Sequence, residues 1–301
     1  MRFLDADAVT ALGPAAAVRA IRAALHDGLD PAADPPRAGV ELSAGQVLFM
    51  PSEIPAAAGV KVVTVAPGNP ARGLPRVQAG YLLFDRETLA LRAVLDGTAL
   101  TTVRTPAVSV AAVLDLLPDR PVRIAVIGAG PQARSHVATL AAVRPLDRVS
   151  YLVRTPAGTP LSAVLLGSAE AEEALATADV VVCATSARSP VFDSAVLGNA
   201  AIVIAVGSHE PDARELDTPL LGRATVVVED IATALREAGD VVLAIADGAL
   251  LATDLVPMRD AVIKPHALPL DRPLVFKSVG MAWQDLVIAE AVLAQVAGTS
   301  G

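Results

Sequence analysis

The chain has 301 residues, 53% of them apolar and 19% charged, with a formal net charge of −8 and a single cysteine. That length and composition suit a globular protein of two domains with a large core, and the acidic balance argues against a nucleic-acid partner, which wants a basic stripe. Cys183 alone excludes an intrachain disulfide and a cysteine-based zinc cluster, so no metal site is expected. No uninterrupted apolar run reaches the roughly 18–20 residues of a bilayer crossing. The start, Met-Arg-Phe-Leu-Asp-Ala-Asp, carries acids where a signal peptide has an apolar core. The expectation is a cytoplasmic protein with no membrane partner. Lysine occurs only at 61, 264 and 277 among 24 basic residues, so each lysine carries more information than an arginine here.

In chain order, the first region reads as α+β. A helix is predicted from Pro14 to His26, then a proline-rich loop, strands over Gln46–Met50 and Gly59–Ala66, and a hairpin of Tyr81–Asp85 with Leu91–Leu95. A further helix is predicted from Pro106 to Leu117, with Pro106 in its first turn and Thr105 as its cap. Pro118-Asp-Arg-Pro121 marks a boundary. Beyond it strands and helices alternate: strand Arg123–Ile127, helix 131–143, strand Val149–Val153, helix 169–176, strands Val180–Ala184, Ile202–Val206 and Ala224–Val228, and helix 231–238. Short apolar strands alternating with helices predict an α/β, doubly wound parallel sheet of Rossmann type. A second proline-rich stretch, 264–273, precedes a strand and a long apolar helix over 275–296 that is expected to return to the first domain. The predicted division is 1–118 for substrate binding and dimerisation, 119–272 for the dinucleotide, and 273–301 as the returning segment.

Gly128-Ala-Gly130-Pro131-Gln132-Ala133 supplies G-x-G-x-x-A between a strand and a helix. Glycine there allows a sharp bend and close approach to pyrophosphate, and the helix start turns free N–H groups toward the anion. A bare G-x-G-x-x-A is weak, and a structural turn is the bland alternative; placement inside a β-α-β unit makes it moderately specific. The second strand of that unit ends in Arg154-Thr155 with no Asp or Glu. A cation and a hydroxyl suit a 2′-phosphate, so NADP(H) is preferred and NAD(H) possible, against the alternative that Arg154 is merely solvated.

Lys61 shares a strand face with Val63 and Val65. It stands either at an exposed edge or in a cleft where desolvation lowers its pKa. Arg104, just before the predicted helix start, would bind a carboxylate with help from the helix dipole. Arg37, in the proline-rich loop, is a candidate cation or a solvated surface group.

These residues sit in blocks that resemble the ornithine cyclodeaminase/mu-crystallin family. The blocks are Gly59–Pro75, Leu95–Thr105, Gly128–His136, Ala184-Thr185-Ser186, Val206–Asp217 and Phe276–Leu286, in order over nearly the whole chain. The resemblance implies a homodimer whose first domain binds substrate and dimerises. It implies that Lys61, Arg104 and Arg37 hold a substrate carboxylate or take part in proton transfer. It also implies that Thr185, Ser186, Val206, Gly207 and Ser208 lie near the cofactor, with Lys277 and Gly280 among the further cofactor candidates.

Departures narrow the activity. His209 stands where the cyclodeaminases carry an aspartate that acts on the substrate amine, which turns the reading away from ring closure; a solvent-facing histidine is the alternative. Arg76 replaces a small hydroxyl residue and adds a cation to the pocket, and Pro106 replaces a small residue. The 154–170 connection is short. His136 is read as structural, and Lys277 and Asp285 either join the domains near the cleft or are ordinary surface charges. The expected activity is NAD(P)H-dependent reduction of an imine beside a carboxylate in a small imino-acid or amino-acid substrate. The alternatives are an ornithine cyclodeaminase-type reaction using bound NAD, or a non-catalytic NADPH- or ligand-binding protein.

Overall fold

The computed structural model describes every residue except Gly158, Pro160, Leu270 and 299–301. The chain forms two compact units, one of residues 1–108 with the chain from Met281 onward, the other of residues 109–280. The divisions therefore fall some ten residues from the proline-rich stretches of the sequence.

The first unit contains β1 (Arg2–Leu4), α1 (Ala6–Thr10), α2 (Pro14–His26), β2 (Ala38–Leu42), β3 (Gly45–Ile54), β4 (Ala57–Val65), β5 (Val77–Phe84) and β6 (Leu91–Asp96). Its six-stranded sheet has the order β1-β6-β5-β4-β3-β2, antiparallel but for the β1–β6 pair. Burial alternates strictly along β4, as in a sheet with one face on a core. That inner face is covered by α10 (Ala282–Gly298), and α2, which buries Ala17, Val18, Ile21 and Leu25 at helical spacing, packs against α10. The outer face carries Val40, Val47, Phe49, Val60, Val62, Leu82 and Val94, all exposed or half-buried.

The helix expected from Pro106 instead begins nine residues earlier, as α3 (Gly97–Val113). Asp96 caps it, accepting from the Ala99 N–H at 2.8 Å. Pro106 lies inside rather than in the first turn, and Thr105 is no cap, since its hydroxyl donates to the Thr101 carbonyl. Arg104 is thus mid-helix, and the dipole argument made for it does not hold. With the short turn that follows, 97–116 is long and apolar enough to cross a membrane by length and composition, but 61% of its most apolar window is buried within the protein, as in a core helix.

The second unit holds β7 (Val122–Ile127), α4 (Pro131–Ala141), β8 (Leu146–Val153), β9 (Ala163–Leu165), α5 (Ala169–Thr177), β10 (Val180–Cys183), β11 (Ile202–Ala205), α6 (Thr218–Arg223), β12 (Thr225–Val228), α7 (Ile231–Glu237), α8 (Gly239–Ala246), β13 (Val256–Pro257), α9 (Met258–Ile263) and β14 (Leu274–Lys277). Its eight strands are all parallel, in the order β13-β12-β14-β11-β10-β7-β8-β9. The central strands β10, β11, β12 and β14 are buried at every position, as strands covered on both faces must be. Because β14 pairs with β11 and β12, it belongs to this sheet, and the chain returns to the first unit only from Met281. The short β8–β9 connection has no helix among its described residues; Gly158 and Pro160 lie outside them. Cys183 is fully buried, and burial pushes its thiol pKa up, so it is an inert core residue.

Candidate active site and cofactor cleft

Met50, Lys61 and Tyr81 are register partners on β3, β4 and β5, so all three share the buried face of the sheet. Lys61 is 2% exposed, which settles its place in the interior rather than at an edge. A buried lysine needs a partner, and its Nζ donates to Asp285 Oδ2 at 2.7 Å. Asp285 comes from the first turn of α10 and is itself fully buried. Its second oxygen lies 3.5 Å from Arg104 Nε, and Arg104 Nη1 donates to Gln284 Oε1 at 2.8 Å. Burial lowers the Lys61 pKa from 10.5 to about 8; Asp285 raises it, and the charges of Arg104 and Arg37 lower it further. Lys61 therefore feels the charges of Arg104 and Arg37 as well as that of Asp285, and the three basic residues lie within electrostatic reach of one another. Arginine forks of this kind match a carboxylate in geometry.

The loop that carries Arg37 is tied to α10. Asp34 accepts from the Trp283 N–H at 2.9 Å, satisfying one of the donors left open at a helix start. Burial raises the Asp34 pKa from 3.8 to about 6, although the bond from the Trp283 N–H pulls it back.

In the second unit Gly128 follows β7 with φ +116, and an added Cβ would lie 2.7 Å from the Ala184 carbonyl oxygen. Gly130 has open space where a Cβ would project. It begins α4 with no side-chain cap and Pro131 in the first turn, leaving the leading N–H groups for an anion. Ala133 is fully buried. A cavity of about 490 Å3 opens here, lined by Ile127–Ala129, Leu152–Thr155 and Ala184–Ala187 among others. Arg154 and Thr155 are exposed on its wall at the end of β8. A glycine-lined cradle on a helix start, with space for a large ligand at the carboxyl ends of parallel strands, fits a dinucleotide.

Buried acids fix the turns at those strand ends. Glu215 Oε1 accepts from the N–H and hydroxyl of Thr185 at 2.8 and 2.7 Å, and its Oε2 from the Gly207 N–H at 2.7 Å. Lys277 Nζ lies 2.8 Å from Asp240 Oδ2 and donates to the Ser208 carbonyl at 2.6 Å. Glu229 accepts from the Ser278 hydroxyl and from the N–H groups of Val279 and Gly280.

The sequence profile of the ornithine cyclodeaminase/mu-crystallin family matches residues 13–300. The chain belongs to the ornithine cyclodeaminase/mu-crystallin family. It is 35% identical over 264 residues to a Delta(1)-pyrroline-2-carboxylate reductase of Burkholderia ambifaria, spanning 84% of this chain and 81% of that one. It is 35% identical over 238 residues to the mouse ketimine reductase mu-crystallin, spanning 77% and 74%. The solved Thermococcus litoralis Delta(1)-pyrroline-2-carboxylate reductase, in complex with NADH and L-proline, superposes with a TM-score of 0.88 at 27% identity, covering 100% of this chain and 98% of that chain.

Of the candidates in this family member, Lys61, Arg104 and Arg37 come together in the first unit. Gly128, Gly130, Pro131, Arg154, Thr155, Thr185 and Ser186 come together in the second. Arg76 is exposed on the loop before β5, closed by the Ala66 N–H on its carbonyl, and no described contact joins it to the Lys61 cluster. His209 is half-buried on the loop after β11. Lys277 and Asp285 are not surface charges, since both are fully enclosed in ion pairs. Lys277 holds the Ser208 turn with an ammonium already engaged by Asp240. His136 is structural as expected: its Nδ1 lies 2.8 Å from the Gln132 carbonyl and its Nε2 3.0 Å from Ser109 Oγ. Sequence reasoning missed Asp34, Gln284, Glu215, Glu229 and Asp240. The available signal was a charge set in apolar surroundings, as in Val-Val-Val-Glu229 and Asp285-Leu-Val-Ile.

Proposed function

We propose that this protein is an NAD(P)H-dependent reductase of a C=N bond adjacent to a carboxylate, taking small imino acids of the cyclic ketimine class. The observation that carries this reading is the Lys61–Asp285–Arg104 cluster, a buried set of charges in which burial lowers the lysine pKa to about 8. The arginines Arg37 and Arg104 grip the substrate carboxylate. Lys61, protonated at pH 7 and held by Asp285, orients the imine side of the substrate and lends it a proton. The Gly128–Ala133 turn holds the pyrophosphate, and Arg154 with Thr155 receives a 2′-phosphate, which favours NADP(H) over NAD(H). A bound nicotinamide supplies the hydride; the protein supplies orientation and charge.

The test is to follow NADPH and NADH oxidation with small cyclic imino acids carrying a 2-carboxylate, and with pyruvate plus ammonia or methylamine. Oxidation is expected with the cyclic substrates and faster with NADPH. Ammonia release from ornithine without reduction across that panel would overturn the reading in favour of cyclodeamination.

The protein is proposed to act as a homodimer. The outer face of the first sheet presents Phe49, exposed, beside the half-buried Val60, Val62 and Leu82, and a contiguous apolar patch of this kind suits an interface. Sedimentation of Phe49→Glu should give monomers where the parent gives dimers.

A further inference from the structure

Glu215 lies on the loop after β11 and is fully buried. Its carboxylate reaches two turns at once. One oxygen takes both donors of Thr185, on the turn after β10, and the other takes the N–H of Gly207, on the turn after β11. The fit leaves no slack, because a Cβ on Gly207 would lie 2.1 Å from the Thr185 carbonyl oxygen and 2.5 Å from Glu215 Oε1. The loop is held in turn by Asp240, whose Oδ1 accepts from the N–H groups of Glu215 and Leu216 at 2.8 Å each.

Strand order tells which part of the cofactor these turns serve. The Gly-rich turn follows β7, with β8 on one side and β10 then β11 on the other. In a doubly wound sheet the adenosine half lies over the side of the second strand, here β8 with Arg154, and the nicotinamide half over the opposite side. The turns joined by Glu215 are those on the opposite side, and the Thr185 turn lines the cavity.

We infer that Glu215 is a positioning residue for the nicotinamide end of the cofactor: a buried carboxylate that locks the Thr185 and Gly207 turns together by accepting from both. This rests on the dinucleotide reading above. The geometry suits a carboxylate, since three donors converge on its two oxygens and a carboxylate brings no donor of its own to oppose them. A glutamine would turn its NH2 toward either Thr185 or Gly207, set donor against donor, and free one turn.

The test is Glu215→Gln, with binding measured by calorimetry for NADPH, for NADH and for adenosine 2′,5′-bisphosphate, which engages only the adenosine half. The expected result is affinity for the whole dinucleotides weakened on the order of tenfold or more, with the adenosine fragment bound as in the parent. Thr185→Val, which removes the hydroxyl that donates to Glu215 and accepts from the Ala187 N–H but keeps the backbone donor, should give a smaller loss in the same direction, and it provides the measurement if Glu215→Gln does not fold. Equal losses for fragment and dinucleotide, or no loss for either, would overturn the inference. A parent protein that binds none of the three would instead overturn the dinucleotide reading on which the inference stands.

Discussion

Lys61 and Asp285 are separated by 224 positions in the chain, yet Nζ and Oδ2 stand 2.7 Å apart with almost no access to water. The pair explains why a lysine can occupy the middle of a buried strand face, and it sets the charge state of the group closest to the proposed chemistry.

Asp285→Asn should strand the Lys61 ammonium without its counter-charge. Breaking one half of a buried ion pair costs about 3–5 kcal/mol, read as a fall in the urea midpoint. Lys61→Met should reduce imine reduction by at least about 100-fold. The double variant should be less destabilised than the two single losses summed, because the interaction is shared. Simple additivity would mean that the pair is not coupled.

The Lys61 pKa gives activity and stability opposite pH slopes. Activity that needs the ammonium should fall as pH rises through about 8. Stability should rise from about pH 8 to 10.5, because there the unfolded chain, with its lysine at the ordinary 10.5, binds more protons than the folded one. A pH–rate profile alongside denaturation at matched pH values checks both signs.

At acid pH two other groups oppose each other. Burial lowers the His136 pKa from 6.5 to about 4. Between those values only the unfolded chain takes the proton, so stability should drop as pH falls, by about 3 kcal/mol over the whole window. Asp34 titrates the other way: its folded pKa is raised from 3.8 to about 6, so the folded form binds the extra proton and its contribution weakens as pH rises across that range. His136→Gln should flatten the acid loss in thermal melts, and Asp34→Asn should steepen it.

Arg154→Ala should raise the KM for NADPH about tenfold or more, as expected for a lost charge-assisted contact, and leave the KM for NADH unchanged. Equal effects on both cofactors would remove the 2′-phosphate from the role assigned to this side chain.

Much of this was legible in the chain because local chemistry and global fold agreed. The helix Pro14–His26 and the strands around Gly128 were readable from periodicity, proline and glycine. The start of α3 was not, since Pro106 and Thr105 imitate a helix start while the true cap, Asp96, sits in a strand-like run. Lys61, Arg104 and Arg37 stood out by type and setting. Asp34, Glu215 and Asp240 did not, because their value comes from donors remote in sequence or across a turn, which no spacing rule encodes. Asp285 was visible as a charge, but its role depended on knowing that α10 packs on β4.

The return of α10 to the first sheet sets an order on synthesis. When the ribosome has made β4, Lys61 has no counter-ion, and none exists until Asp285 emerges 224 residues later. The second unit, residues 109–280, is synthesised in between. The Lys61–Asp285 pair is therefore among the last contacts of the molecule to be completed, and a message cut short before α10 leaves Lys61 without this counter-charge.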